Sequence, residues 1–434
     1  MCVLVVCLLL TAVGSTDAPP PFYWKAVVDG SVESIETPVG NVLPIGANYI
    51  FGLDIETGEI VWEAYYGGPT CTDIESDAGV LFTGPKAFAI DVKTGKILWD
   101  LWESKVKLYG GYHAVGYGKL YATEAGQCFA IDDARFGKGT SLMAFDEFTG
   151  ELLWTFDTLS DTYSDIAVGG GLVLIGSSNC TVYALDHETG EVVWTLKTPD
   201  WASVYPVIEG DRALVYSART LTCVDITTGS IIWEKPFHYT EAVSNGRVYA
   251  STESGYACLD IRDGTTLWTY EQLVKEWREL SDVTVKGDLF VFGVSTVLVA
   301  LDAYTGEEKW TYDTNELISC RPLILGDFIV VGTEEAHVIA LGNPPRTEVP
   351  PCEEKLDSVK QLLFTRNYEN ALEILEDART LCSEELYLEI DALSDYIHTQ
   401  QEKTSRIRIF TVGVMGLICG VLIARRLKRR NLLQ

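Results

Sequence analysis

Seven short segments of this chain share one frame, an Asp followed four residues later by Gly and eight residues later by Trp. They read GLDIETGEIVW, AIDVKTGKILW, AFDEFTGELLW, ALDHETGEVVW, CVDITTGSIIW, CLDIRDGTTLW and ALDAYTGEEKW. The frame residues are Asp54, Gly58 and Trp62; Asp91, Gly95 and Trp99; Asp146, Gly150 and Trp154; Asp186, Gly190 and Trp194; Asp225, Gly229 and Trp233; Asp260, Gly264 and Trp268; and Asp302, Gly306 and Trp310. Chance does not produce such a frame seven times, and self-similarity at a fixed period marks a repeat architecture. Each copy reads as a β-hairpin. An alternating strand ends at an Asp whose carboxylate can accept main-chain N–H bonds in the turn, Gly takes the left-handed position, and Trp lies on the returning strand. No single small sheet can bury that indole, so it must pack on a neighbouring repeat.

A second set of turns falls between these hairpins, at Gly40-Asn41, Gly210-Asp211, Asn245-Gly246, Gly287-Asp288 and Gly326-Asp327, with weaker signals near Gly79, Gly118 and Gly170. Each repeat therefore reads as four antiparallel strands in about 40 residues, the size of a propeller blade. The last repeat, RPLILGDFIVVGTEEAHVIALG, breaks at Asn343-Pro344-Pro345 without a Trp-bearing return strand. Near the start, PFYWKA carries Trp24 in phase with the series, 38 positions before Trp62 (62 − 24). The expectation is an all-β, eight-bladed propeller of four-stranded antiparallel blades over residues 20–345, closed by the N-terminal strand so that no edge is left unmatched. About 15 extra residues between Ala130 and Phe145 stretch the Gly95 to Gly150 interval to 55 residues, either a loop on a binding face or a surface extension of a hairpin.

After Pro350-Pro351 the apolar period changes from two to about 3.6. Leu356, Val359 and Leu363, then Ala371, Leu372, Leu375 and Ala378, lie at helical spacing, with Arg366-Asn367-Tyr368 as a turn. A third helix is expected through Leu386, Ile390, Leu393 and Ile397. Residues 352–402 thus read as a small helical stalk, a tetratricopeptide-like hairpin plus one helix, which either spaces the propeller from a membrane or takes part in binding. Cys352 and Cys382 would meet in an antiparallel hairpin and are the candidate disulfide, whereas Cys71, Cys128, Cys180, Cys223, Cys258 and Cys320 fall one per repeat and read as free thiols.

Both ends of the chain point to membranes. Residues 1–18 read as a secretory signal peptide, with Ala12-Val13-Gly14 as a cleavage site. Residues 407–424 contain the uncharged run IFTVGVMGLICGVLIA and read as a transmembrane helix, followed by a basic tail at 425–434 that stays cytoplasmic by the positive-inside bias. Within the span, Gly416 and Gly420 form a GxxxG through which two copies could dimerise. From Gln401 onward there are eight basic residues and one acid, so the formal charge of −29 divides into +7 there and −36 before it (−29 − 7). A body that acidic repels phosphate backbones, which excludes nucleic acid as a partner. Asn179-Cys180-Thr181 is a lone glycosylation sequon.

The repeated frame resembles the PQQ-like (pyrroloquinoline quinone-type) propeller repeat, A-x-D-x-x-T-G-x-x-x-W, over roughly residues 22–341. That resemblance implies one of three kinds of protein: a quinoprotein dehydrogenase, a BamB-like assembly factor of a bacterial envelope, or a lumenal sensor domain. A quinoprotein dehydrogenase of the family would carry a vicinal Cys pair, a calcium held by carboxylate and amide ligands, and a catalytic Asp. Here no two cysteines are adjacent, no C-x-x-C-H or H-E-x-x-H occurs, and the five histidines (His113, His187, His238, His337 and His398) have no ligand spacing. The aligned aspartates hold turn positions. No catalytic, cofactor-binding or metal-ligating residue is therefore assigned, and no cofactor is expected. The expected function is a non-catalytic, membrane-anchored scaffold or protein-binding module on the extracytoplasmic side of the plasma membrane, taking a protein or peptide partner at the cell envelope. The alternative is an oxidoreductase of alcohols or sugars using PQQ with Ca²⁺. Candidate contact residues are the aromatic and charged side chains between repeats: Tyr109, Tyr112 and His113, Trp201 and Tyr205, and Trp277 and Arg278. Packing between blades is the competing role for each.

Overall fold

A computed structural model describes residues 18–64, 74–77, 80–83, 88–100, 113–123, 141–160, 164–199, 205–217, 219–237, 239–271, 283–344, 351–364, 367–379, 390–391, 393–394 and 396–401. The chain divides into two compact units, Met1–Thr347 and Glu348–Gln434.

The first unit begins with β1 (Phe22–Val27). Blade 1 is β2 (Ser34–Ile35), β3 (Val42–Gly46), β4 (Ile50–Asp54) and β5 (Ile60–Ala64); blade 2 is β6 (Ile74–Asp77), β7 (Val80–Thr83), β8 (Phe88–Asp91) and β9 (Ile97–Asp100). Blade 3 is β10 (His113–Gly116), β11 (Lys119–Thr123), β12 (Ser141–Asp146) and β13 (Leu152–Asp157); blade 4 is β14 (Ile166–Gly169), β15 (Leu172–Ser177), β16 (Thr181–Asp186) and β17 (Val192–Lys197). Blade 5 is β18 (Tyr205–Glu209), β19 (Arg212–Ser217), β20 (Thr220–Asp225) and β21 (Ile231–Lys235); blade 6 is β22 (Tyr239–Ser244), β23 (Arg247–Ser251), β24 (Gly255–Asp260) and β25 (Thr266–Glu271). Blade 7 is β26 (Thr284–Lys286), β27 (Leu289–Val294), β28 (Val297–Asp302) and β29 (Glu308–Asp313). The last three strands, β30 (Leu323–Leu325), β31 (Phe328–Gly332) and β32 (His337–Leu341), form blade 8 together with β1. The expected eight four-stranded antiparallel blades are present.

Closure follows the sequence expectation. Strand β1 pairs antiparallel with β32, setting Trp24 against Ala340, Lys25 against Ile339 and Ala26 against Val338. In each blade the outermost strand carries a register shift just before its Trp, as at Ala184/Leu185 in blade 4, and β1 reproduces that bulge between Phe22 and Trp24. A bulge leaves one residue unpaired and twists the edge away from further pairing. It also explains why two consecutive apolar residues precede the Trp and both stay exposed, as at Val192-Val193, Ile231-Ile232 and Phe22-Tyr23.

Blades are joined through their tryptophans. Seven of the eight indoles lie over the turn glycine of the next blade: Trp24 on Gly58, Trp62 on Gly95, Trp99 on Gly150, Trp154 on Gly190, Trp194 on Gly229, Trp233 on Gly264 and Trp268 on Gly306; Trp310 packs instead among Ile324, Ile329, Ile339 and Leu341 of blade 8. The N–H of each of those seven indoles also donates to the carbonyl of the residue after the frame Asp in that blade, from Trp24 Nε1 to Ile55 O (2.9 Å) through Trp194 to Ile226 O (2.7 Å) to Trp268 to Ala303 O (3.0 Å). At Gly229 the reason for glycine is twofold: φ is +67°, and a Cβ would stand 2.7 Å from the Trp194 ring. The hydrophobic core therefore lies between blades as much as within them. Trp194, for example, packs with Ala213, Val215, Val224 and Ile226 of blade 5.

The second unit contains α1 (Pro351–Phe364) and α2 (Tyr368–Arg379), which pack on each other. Proline opens α1, where its missing N–H costs nothing. The expected apolar positions Leu356, Val359, Leu363, Ala371, Leu375 and Ala378 are buried, and Leu372 is half-buried. Ile390, Leu393 and Ile397 are helical and buried, as the third helix requires. Leu386, the side chain of Cys352, Cys382, the signal segment 1–17, the insertion between β11 and β12, and the span with Gly416 and Gly420 lie outside the described residues. Among the described residues no helix is long and apolar enough to cross a membrane.

Candidate protein-docking face

Antiparallel order gives the disc two unlike faces. The turns between first and second strands, and between third and fourth strands, lie on one face. The turns between second and third strands, together with the connections between blades, lie on the other. First strands of successive blades from β6 to β30 neighbour one another, so they surround the axis.

On the first face the frame aspartates are committed to their own turns. Asp186 Oδ1 accepts from the N–H of Glu188 (3.0 Å), the N–H of Thr189 (2.8 Å) and the Thr189 hydroxyl (2.9 Å), while Gly190 N–H closes on Asp186 O (2.9 Å). Asp54, Asp146, Asp225 and Asp302 accept main-chain bonds in the same way. Burial pushes the Asp186 carboxyl up, but the bonds from Thr189 and Glu188 outweigh it and hold the group below the usual carboxylate value. The Arg262 guanidinium, with its main-chain N–H, holds Asp260 lower still, at about 2. These are signs of structural acids.

A calcium-bound quinone calls for a cluster of oxygen ligands around the ion. Among the described residues no three His, Cys, Asp or Glu side chains are placed to hold a metal ion. The acids that recur most often each commit one carboxylate oxygen, Oδ1, to their own turn. The described residues assemble no such donor set, and no chemical step is derived through the group.

Two of the between-blade residues singled out from sequence are described, and both lie on the second face. His113 opens β10 and is half-buried, and Tyr205 opens β18, so both stand where connections enter the innermost strands of blades 3 and 5. Tyr109, Tyr112, Trp201, Trp277 and Arg278 lie outside the described residues.

Sequence reasoning missed a feature on this face, the segment that leaves β13. Leu159 is 79% exposed and has φ +63°, a left-handed conformation that costs a residue with a Cβ about 1–2 kcal/mol. A dense set of hydrogen bonds fixes it there. Asp157 Oδ1 accepts from Leu159 N–H (2.8 Å), the Thr158 hydroxyl donates to Ser160 O (2.7 Å), and Ser160 Oγ meets Ser178 Oγ of blade 4 (2.7 Å). Asn179 Nδ2 donates to Thr158 O (3.0 Å) and to Tyr183 OH (2.9 Å). The sequon amide is thus built into this platform, a structural role in place of an exposed one. Blade 7 repeats the frame with Asp313, Thr314 and Asn315, the last at φ +61°. Asn adopts that conformation at less cost than leucine.

Of the described thiols, Cys223 and Cys258 are free and buried, Cys180 is free and half-buried in the turn before β16, and Cys320 is buried. Burial pushes the Cys223 thiol up to about 12, and its Sγ donates to the Ile261 carbonyl (3.7 Å) that also accepts from Trp233.

Three comparisons place this geometry among known proteins. The family described as outer membrane protein assembly factor BamB matches residues 86–204, 138–236, 199–284 and 257–343. Outer membrane protein assembly factor BamB of Moranella endobia is 25% identical over 264 residues, covering 54% of this chain and 61% of that protein. The chain therefore spans about three fifths of the length of that curated relative. Among solved structures, BamB from Moraxella catarrhalis superposes with a TM-score of 0.58 at 17% identity, covering 74% of this chain and 99% of that one. The computationally designed Ika8 protein gives 0.61 at 15% identity, covering 73% and 98%. The quinohemoprotein alcohol dehydrogenase ADHIIG of Pseudomonas putida gives 0.54 at 15% identity, covering 76% and 77%. At such identities the superpositions speak for the fold alone, whereas the repeat match runs through more than half of the chain: this protein belongs to the BamB family of PQQ-like β-propellers.

Proposed function

We propose that the propeller is a non-catalytic protein-binding scaffold whose docking face is the one that holds the between-blade connections. The observation that carries this reading is Leu159, an exposed apolar side chain held in a costly conformation by a rigid platform that does not use it for packing. Strain kept where it serves no packing is a mark of function, and a rigid apolar anchor is what a partner's pocket needs. The names of the family and its curated relative, which describe a factor in outer membrane protein assembly, support a protein partner at a cell envelope. The uncharged run within 407–424 and the basic tail after it support a single membrane span, with the acidic propeller on the extracytoplasmic side and the tail in the cytoplasm. The GxxxG of Gly416 and Gly420 would make dimerisation a property of that span.

The test is site-specific photo-crosslinking of the full chain in its membrane. A photoreactive residue at Leu159 should give a discrete adduct, and one at Asn245, in an exposed turn on the opposite face, should not. Equal labelling at both positions, or none at 159, sinks the docking face. The competing oxidoreductase reading draws on the likeness in fold to quinohemoprotein alcohol dehydrogenases. Dye reduction by the full chain supplied with the quinone, Ca²⁺ and alcohols or sugars would replace the scaffold reading.

A further inference from the structure

Blade 8 is the one blade whose outermost strand is not joined to its neighbour through a hairpin turn, and a single carboxylate gathers the pieces there. Glu316, in the connection between blades 7 and 8, forms an ion pair with Lys25 of β1. Its Oε2 lies 2.8 Å from His337 Nδ1 of β32 and accepts from the Thr333 hydroxyl at 3.0 Å. With the carboxylate ionised, Nδ1 must carry the proton and donate. The Glu316 side chain is only 16% exposed, so these bonds are partly shielded from water. Its main chain is fixed by Thr314, whose hydroxyl accepts from Glu316 N–H (3.2 Å) and has Glu316 O (2.7 Å) and Thr296 O (2.8 Å) as alternative acceptors for its one proton.

We propose that Glu316 is the latch of ring closure, and that protonating it frees the N-terminal strand β1 from blade 8 while the other seven blades stay folded. Neutral glutamic acid cannot accept all three bonds or balance Lys25, so the side-chain tie between β1 and β32 is lost and only main-chain pairing and Trp24 hold the strand. Three further carboxylates stand in the connections beside the latch: Asp313, which accepts from Asn315 N–H (2.9 Å), Glu335, which accepts from Leu317 N–H (3.1 Å), and Glu334, whose N–H donates to Leu317 O (2.9 Å); β1 and β29 also carry Tyr23, Glu308, Lys309 and Tyr312. Partial burial pushes the Glu316 carboxyl up, but Lys25, His337 and Thr333 outweigh it and the group lies below the usual value. The sign follows. A depressed carboxyl contributes stability above the unfolded value near 4.3 and loses it as pH falls through the folded value, so the latch opens only in acid.

Hydrogen exchange of the full chain, corrected for intrinsic rates, tests this by comparing β1 with β17, the equivalent strand of blade 4. Between pH 7 and pH 3 the protection of β1 should fall about tenfold more than that of β17, the scale of losing charge-assisted hydrogen bonds. Glu316→Gln should lower β1 protection already at pH 7 and flatten its pH dependence. Lys25→Met keeps the carboxylate and should give part of the loss. Equal loss at β1 and β17 in acid, or a Glu316→Gln protein with unchanged β1 protection and pH dependence, overturns the proposal. If Glu316→Gln does not fold, the wild-type pH series and Lys25→Met decide it.

Discussion

Blades 4 and 8 have the same four strands, the same bulge and the same docked indole, yet one is a continuous meander and the other is assembled from the two ends of the propeller sequence. In blade 4, β16 and β17 are tied by the Asp186 to Gly190 turn, whose five residues carry their own hydrogen bonds. In blade 8 that turn does not exist. Gly342 N–H instead meets Pro21 O at 2.6 Å, and Lys25, Glu316 and His337 supply side-chain ties. Local turn chemistry and long-range electrostatics thus do the same work in two blades, and they differ in entropy: the hairpin strand is held near its partner even when unpaired, whereas β1 must be brought back across the whole ring.

The largest expected effect concerns the two indoles. Trp194→Ala and Trp24→Ala should each cost about 3–5 kcal/mol in urea unfolding, the range for truncating a large buried aromatic. Trp24→Ala should also reduce unfolding cooperativity, because it loosens the strand that no turn retains. A Trp24→Ala protein more stable than Trp194→Ala would break the comparison. Next come the glycines beneath those rings. Gly58→Ala and Gly229→Ala place a Cβ 2.7 Å from Trp24 and Trp194 at φ +73° and +67°, and each should cost about 1–3 kcal/mol. Equal costs would show that β1 is seated as firmly as β17.

Acid should then separate the blades. The Asp186, Asp225, Asp260 and Asp302 carboxyls all lie below the usual value. Their contribution is complete above about pH 4 and is lost as pH falls through the folded values. Unfolding midpoints should therefore fall between about pH 4 and pH 2, and Asp260→Asn should reduce that loss by less than about 1 kcal/mol, since its Arg262 partner is exposed. The smallest effect on stability is expected at the docking face. Leu159→Asp should change unfolding by less than about 0.5 kcal/mol, or stabilise slightly, because an Asp accepts the left-handed conformation more readily. The same variant should lose the partner adduct, and a large fall in stability would show that Leu159 is a packing residue.

How much of this was legible depended on the range of each interaction. The Asp to Gly to Trp spacing is local, so blade number, closure by Trp24 and the structural role of the aspartates could be read directly. The acceptor of each indole N–H could not, because it is a main-chain carbonyl about thirty positions away, as Ile226 O is for Trp194. Any side chain serves there: Ile55, Val92, Glu147, His187 and Ala303 all do. The aromatic search for contact residues also passed over Leu159, whose interest lies in its backbone angle. The one available signal was the parallel between Asp157-Thr158-Leu159 and Asp313-Thr314-Asn315, where a leucine replaces a residue suited to the turn.

The sequence by itself determined the repeated hairpin, the count of eight and the membership of β1 in the last blade, because periodicity and turn chemistry act over ten residues or fewer. Only the tertiary structure decided which carbonyl each indole meets, which loop leucine is held exposed in a strained turn, and that Glu316 joins residues 25, 333 and 337. Those depend on distances between segments that lie far apart along the chain, and a one-dimensional pattern contains them only after the ring has closed.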